Sequence, residues 1–211
     1  MTLDWDHNAF YHRRVLDELP VRCERVLDLG CGAGVLAAKL AGRADRVDAL
    51  DRSPVMIEAA RRVVGENVTC VLADIDDYGL AEDTYDAVVS VAALHHLRAA
   101  QVLPRLAAAL RPGGVLVIVG LPARDLVGDW LTETASVVLN PVAGAVFAAL
   151  RRLTGRSWFA HDSTHDLMPV QGHAPLTTRQ LGQLAHTVLP GSSIRRLLFW
   201  RYLLVWHKPP G

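Results

Sequence analysis

The sequence predicts a doubly wound α/β fold, a mostly parallel sheet with helices on both faces. Three observations carry this. Between Arg25 and Gly120, runs rich in Val, Leu and Ile (RVLDLG, RVDALD, VTCVLAD, YDAVVSVAAL, GGVLVIVG) alternate with helical patterns. Near-continuous apolar strands suit a parallel sheet covered on both sides. The first run leads directly into glycines at every second position, Gly30, Gly32 and Gly34, and then into the helical GVLAAKLAGR. Finally, 51% of the 211 residues are hydrophobic and no low-complexity stretch divides them, so residues 1–211 are read as one domain around one sizeable core.

Taken in order, residues 1–20 supply a covering helix. In DHNAFYHRRVLDEL, His7 and Tyr11 are four apart, and Tyr11, Val15 and Leu19 continue along one face. Residues 21–121 hold the strand and helix alternation. There Ser53 caps a helix whose first residue is Pro54, with Ile57, Ala60 and Val64 on one face. Pro104 is expected near the start of the helix in QVLPRLAAALRP, where a missing N–H costs least.

After the fifth strand the alternation stops, and residues 122–176 read as a lid and substrate insertion. Asp125 to Thr154 is largely apolar, and the spacing predicts two helices broken at Asn140–Pro141, forming an apolar ceiling over an acceptor. The Ser136–Leu150 run is shorter than the roughly 18 to 20 apolar residues of a membrane span, so no stable membrane insertion is expected. Residues 177–211 begin with a Thr177–Gln180 capping box and a helix with Leu181, Leu184, Ala185 and Val188 on one face. They end in SSIRRLLFWRYLLVWHK, read as an antiparallel pair joined through Trp200, Arg201 and Tyr202. This brings the sheet to seven strands and closes one edge.

Charge and cysteine usage narrow the partners. Lys plus Arg equals Asp plus Glu at 22 each, which argues against nucleic acid and anionic membranes and for a small partner, uncharged or mixed; a homodimer is left open. Cys23, Cys31 and Cys70 are odd in number and lack CxxC spacing, which indicates a reducing compartment. The start, MTLDWDHN, lacks the blocks of a signal peptide, so a cytoplasmic location is expected.

The glycine turn is the first functional signal. Glycine is used where φ must be positive or where a ligand lies against the backbone. This turn ends a parallel strand and opens a helix, so its N–H groups face a crevice at the carboxyl edge of the sheet, a place for a nucleotide-like ligand. Asp51, about 20 residues on, ends the next strand where an acid can bind ribose hydroxyls. Gly32, Gly34 and Ala37 also satisfy GxGxxG/A, which keeps a nicotinamide-dependent oxidoreductase in view. A tight turn that binds nothing is the third reading.

Later landmarks separate these readings. Asp74 ends the third strand in VLADIDD, the fourth strand ends in SVAALHHL, and LRPGG precedes the fifth. In order and spacing, Arg25 to Gly120 resembles the class I S-adenosylmethionine-dependent methyltransferases, in particular their small-molecule group. The resemblance implies a Rossmann-like fold and S-adenosyl-L-methionine as cofactor, with S-adenosyl-L-homocysteine as product. It also implies roles for individual residues. Asp28, Gly30, Gly32 and Gly34 would surround the methionine part and Asp51 would bind the ribose, with Arg52 and Met56 bordering the adenine. Asp74 with Ile75 would hold the adenine edge, and the Val91 carbonyl would face the methionine ammonium. Cys31 is read as packing, since no local charge would lower its pKa. Asp74 and the lack of a hydride-transfer constellation disfavour the oxidoreductase. A catalytically silent cofactor-binding or scaffold protein is the second rival.

Methyl transfer from a sulfonium needs an in-line acceptor about 3 Å from the carbon, little water and sometimes a base. The acceptor expected is the oxygen or nitrogen of a partly apolar small molecule. Tyr11 and His12, on the covering helix, are candidates for the methionine end, or else they seal the helix to the body. His95 and His96 follow the fourth strand, where alternation would send the two rings apart, one towards the pocket, as base or orienting group. His161, His165, Asp166 and His173 invite a metal reading. Ser163, Thr164 and Pro169 instead indicate an irregular loop, so no metal is expected and Asp166 is kept as a substrate-pocket candidate.

Overall fold

The computed structural model describes residues 3–125, 127–160 and 176–211. The elements run α1 (His7–Asp17), β1 (Cys23–Leu29), α2 (Val35–Leu40), β2 (Ala44–Asp51), α3 (Pro54–Arg61), β3 (Val68–Leu72) and β4 (Tyr85–Val91). A 3-10 turn (Leu94–His96) follows, then α4 (Ala99–Ala109), β5 (Leu110–Gly120), α5 (Trp130–Thr154), α6 (Thr178–Val188), β6 (Ser193–Leu197) and β7 (Arg201–His207). The strands form one seven-stranded sheet of order β3-β2-β1-β4-β5-β7-β6. The first five are parallel, and β7 is antiparallel to both neighbours. Strand order reverses at β1, and a sheet of this kind opens a crevice at that point, beyond the carboxyl ends of its strands.

The central strands β1, β2, β4, β5 and β7 are buried on both faces. Val26 joins one apolar layer with Trp5, Val15, Leu36 and Ile57, while the adjacent Leu27 joins the other with Leu103, Leu106, Leu181 and Leu189. The capping signals hold. Ser53 Oγ accepts from the Met56 N–H with Pro54 as the first helical residue, and the Thr177–Gln180 box is reciprocal.

The structure differs from the sequence reading at three places. Pro104 lies inside α4 because the helix starts at Ala99; Val102, Leu103 and Leu106, all fully buried, offset the roughly 3 kcal/mol that an interior proline costs. The segment with Asn140–Pro141 is one continuous helix, α5, because side chains on both sides of the proline are anchored. Before it, Ser136 Oγ accepts from the Phe199 N–H at 2.8 Å, Glu133 pairs with Arg196, and Asn140 Oδ1 accepts from Trp5 Nε1 at 3.0 Å and sits 2.8 Å from His7 Nε2. After it, Ala148 is buried. The terminal hairpin turns earlier than expected: Phe199 and Trp200 take positive φ (54° and 58°), and Arg201 and Tyr202 already belong to β7.

The length of α5 also corrects the membrane argument. At 25 residues it is long and apolar enough to cross a membrane by length and composition, and it exposes Trp130, Leu131, Val138, Val142 and Leu153. Its polar ties to Arg196, Phe199, Trp5 and His7 dock the opposite side on the N-terminal segment and the hairpin.

Trp5 is the hub of that docking. It is 0% exposed and makes ring contacts with Phe10, Phe147, Phe159 and Phe199 at centroid distances of 4.8 to 6.5 Å. Trp5→Ala is expected to cost about 3 to 5 kcal/mol, read as a lowered urea midpoint at unchanged slope.

Candidate functional site

A cavity of about 290 Å³ opens at the carboxyl edge of β1, β2 and β4. Of the residues singled out from sequence, Asp28, Gly30, Gly32, Asp51, Arg52, Met56, Asp74, Ile75 and Val91 line it, and so do His12, His95 and His96. Gly34 does not. Its φ of 80° and the Ala60 backbone 2.9 Å from where a Cβ would stand make it the close contact between α2 and α3. Gly32 does the opposite: its φ is 53° and a Cβ there would meet nothing within 4 Å, so its backbone is open to the cavity.

The acid at the end of β2 organises the floor. Asp51 Oδ2 accepts the Gly32 N–H at 2.9 Å and its Oδ1 accepts the Ser53 N–H at 2.8 Å. Beside it, Asp28 is 1% exposed and its Oδ2 has no hydrogen-bond partner among the described residues. Burial first and the Asp51 charge second push its carboxyl up to about 7, against a smaller pull from the Ala37 N–H. Asp74 Oδ1 accepts the Asp76 N–H at 3.0 Å, which orients that carboxylate at the end of β3. Cys31 is buried and its thiol is pushed up, chiefly by desolvation, so it is a packing group.

The histidines are arranged differently from the strand-alternation reading. Backbone alternation ends at Val91; Ala92 takes φ 55° and the chain enters the 3-10 turn, so the His95 and His96 rings lie against each other, tilted by 41° with centroids 3.9 Å apart, instead of diverging. Neither Nδ1 has a partner among the described residues. Burial, then His96 and Arg201, hold His95 down to about 4, leaving it neutral at pH 7. His12 is likewise held down to about 4 by burial and by Lys39, whose Nζ lies 3.0 Å from its Nδ1.

Tyr11 is set apart from the cavity. Its hydroxyl donates to the Leu198 carbonyl at 2.8 Å and burial pushes it up to about 12, so it seals α1 to the hairpin. No described residue of α5 lines the cavity, so the expected apolar ceiling is not built from that helix; α5 buttresses α1, which brings Asn8 and His12 to the rim. Asp166, and with it His161, His165 and His173, lies outside the described residues. Sequence reasoning missed Asn8, Leu121 and Arg201. The one available signal was a single arginine opening an otherwise apolar strand, RYLLVWH, at the carboxyl edge of the sheet.

A family description, methyltransferase domain, matches residues 26–114. An uncharacterized methyltransferase of Mycobacterium tuberculosis is 34% identical over 211 residues, covering 99% of this chain and 100% of that protein. The chain belongs to the class I S-adenosylmethionine-dependent methyltransferases. The same fold is seen in the crystal structure of an S-adenosylmethionine-dependent methyltransferase from Mesorhizobium loti (TM-score 0.63, 19% identity, 93% and 96% of the two chains). A ubiquinone biosynthesis O-methyltransferase of Methylocella silvestris is 38% identical over 101 residues, 46% of this chain and 40% of that one.

For this methyltransferase S-adenosylmethionine is the cofactor, and the nicotinamide reading falls. The residues present fit that group. A glycine backbone open to the cavity, an orphaned buried carboxylate oxygen at Asp28 and an oriented acid at the end of β2 are what a ligand with an ammonium and a ribose requires.

Asp28 makes the ligand-free enzyme sensitive to pH. Its folded-state pKa of about 7 lies above the ordinary 3.8, so the native state keeps a proton that the unfolded chain releases, and stability is lost as pH rises between those values. Asp28→Asn should therefore gain stability relative to wild type from pH 4 to 7, by at most about 1.4 kcal/mol per pH unit, and level off above. Melting curves of both ligand-free proteins at several pH values check this; parallel curves would remove the buried acid from the account.

Proposed function

We propose that the enzyme methylates an oxygen or nitrogen of a partly apolar small molecule in the cytoplasm, with His95 handling the acceptor proton. One observation carries the reading. A second cavity of about 320 Å³, lined by Leu94, Leu181, Leu184 and Tyr202 among others, shares His95, Leu97 and Leu121 with the first. A more apolar compartment therefore meets the first cavity at a neutral imidazole. The Methylocella relative, named for ubiquinone biosynthesis, supports an acceptor with apolar character. The three cysteines are free thiols, which supports a reducing compartment.

When bound, the cofactor supplies the electrophilic methyl of a sulfonium. In this reading Asp51 takes the ribose hydroxyls, Asp74 and Ile75 the adenine edge, with Arg52 and Met56 beside the ring. Asp28, Gly30, Gly32 and the Val91 carbonyl hold the methionine part. Asp51→Ala should weaken S-adenosylhomocysteine by about 10- to 150-fold in calorimetry, the loss of charge-assisted bonds worth about 1.5 to 3 kcal/mol.

His95 is present as the free base at pH 7, but a ring held down to about 4 is a weak one. His95→Ala is therefore expected to lower turnover by about 10²-fold, the low end for general bases, with S-adenosylhomocysteine affinity within about threefold. The assay is transfer of a labelled methyl to a panel of phenols, amines and carboxylic acids with and without apolar tails. Labelling of RNA or protein alone would overturn the small-molecule reading. Unchanged turnover in His95→Ala would leave placement and desolvation as the catalytic account.

A further inference from the structure

The terminal hairpin buries two arginines, and they are treated in opposite ways. Arg196 pairs with Asp129 at 3.1 Å and with Glu133. Arg201 is only 8% exposed and has no ion-pair partner among the described residues. Its guanidinium donates to neutral acceptors alone: from Nε and Nη2 to Asn8 Oδ1 at 3.2 and 2.9 Å, and from Nη1 to the Phe199 and Trp200 carbonyls at 3.2 and 3.3 Å. These bonds fix its orientation and give it no ion pair among the described residues. Asp6 lines the same cavity and its charge reaches Arg201 without forming an ion pair; its Oδ1 accepts the N–H groups of Asn8 and Ala9. A buried ion without a countercharge costs several kcal/mol, and none of the described residues ion-pairs with Arg201, an arrangement that suits an anionic guest.

The position of Arg201 says where that anion belongs. Arg201 lines the cavity, and its neighbour Tyr202 pairs with Gly120 at the carboxyl end of β5. In the sheet, β7 lies two strands beyond β4, about 10 Å at the usual inter-strand spacing. The cofactor's methionine part is assigned to β1 and β4, so Arg201 stands on the far side, beside Leu121. Nη2 carries two hydrogens and Asn8 accepts one, which leaves a donor for a carboxylate oxygen.

We propose that Arg201, held by Asn8, is the anion receptor of the acceptor site, and that the acceptor carries a carboxylate whose apolar remainder lies along Leu121. This rests on the cavity being the cofactor and acceptor site, and it sharpens the expectation of an uncharged or mixed partner to an anionic one. The same chemistry could come from the methionine carboxylate of the cofactor, so the test separates the two sources.

Calorimetry on the full chain does so in two steps. S-adenosylhomocysteine and 5′-methylthioadenosine, which lacks the carboxylate, are titrated first; failure of both would sink the cofactor assignment itself. Protein saturated with S-adenosylhomocysteine is then titrated with octanoate and benzoate, each against its uncharged amide. Wild type should prefer at least one carboxylate by tenfold or more. Arg201→Gln should erase that preference with S-adenosylhomocysteine affinity within about threefold. Asn8→Asp keeps the guanidinium and supplies the missing countercharge in place; it should erase the preference too, and it carries the test if Arg201→Gln fails to fold. No preference in wild type, or a preference that survives in the variants, would overturn the proposal. So would a tenfold loss for S-adenosylhomocysteine but not for methylthioadenosine, which would assign Arg201 to the cofactor.

Discussion

The carboxylate of Asp51 holds two turns at once, and the cavity exists because of it. One oxygen takes the Gly32 N–H from the turn after β1 and the other takes the Ser53 N–H from the turn after β2. The main chain reinforces the tie, since the Leu50 carbonyl accepts from both Gly30 and Cys31 at 2.8 and 3.0 Å. The glycine turn is therefore hung on the neighbouring strand before any ligand arrives, and its open backbone at Gly32 is preorganised. Binding then costs little loop ordering, which is where much affinity is otherwise lost.

From this floor the cavity runs between two buried groups of opposite kind, an acid that keeps its proton up to about 7 and a guanidinium with no ion pair among the described residues. Asp28, with an orphaned oxygen, stands at β1; Arg201, with only neutral partners, stands at β7. Between them the His95 and His96 pair is held neutral on at least one ring by burial. A zwitterionic guest or two guests of complementary charge would align along such an axis, with the uncharged middle left for a reacting centre. In a site of low polarity the Arg201 charge, and that of Asp28 once ionised, acts at greater strength than it would in water.

Much of this was legible in the sequence because the responsible physics is local. Buried parallel strands must be apolar on both faces, which made β1 to β5 readable, and Ser53–Pro54 and Thr177–Gln180 announced their helices through backbone groups only a few residues away. What escaped was non-local. Pro141 reads as a breaker until Asn140, Ser136 and Glu133 are seen anchored to Trp5, Phe199 and Arg196, partners between 63 and 135 residues distant. His95 and His96 diverge only if the strand continues, and a positive φ at Ala92 ends it. Arg201 looked like part of a turn because the hairpin's register depends on the Phe199 N–H finding Ser136, which no pattern around residue 199 encodes.

Asn8 and Arg201 meet across 193 positions of chain, and Tyr11 and Leu198 across 187. In terms of synthesis, the two ends of the cavity mature at different times. The turns that carry Asp51 and Asp74 can close while the ribosome is still making the second half. The covering helix has to wait for the hairpin, about 10 to 40 s at ordinary elongation rates. During that interval the faces of α1 and α5 that converge on Trp5 are without their last partner. The β1–β2 side of the cavity can thus form early and the Asn8–Arg201 side last, and a nascent chain stalled before residue 199 would have the first without the second.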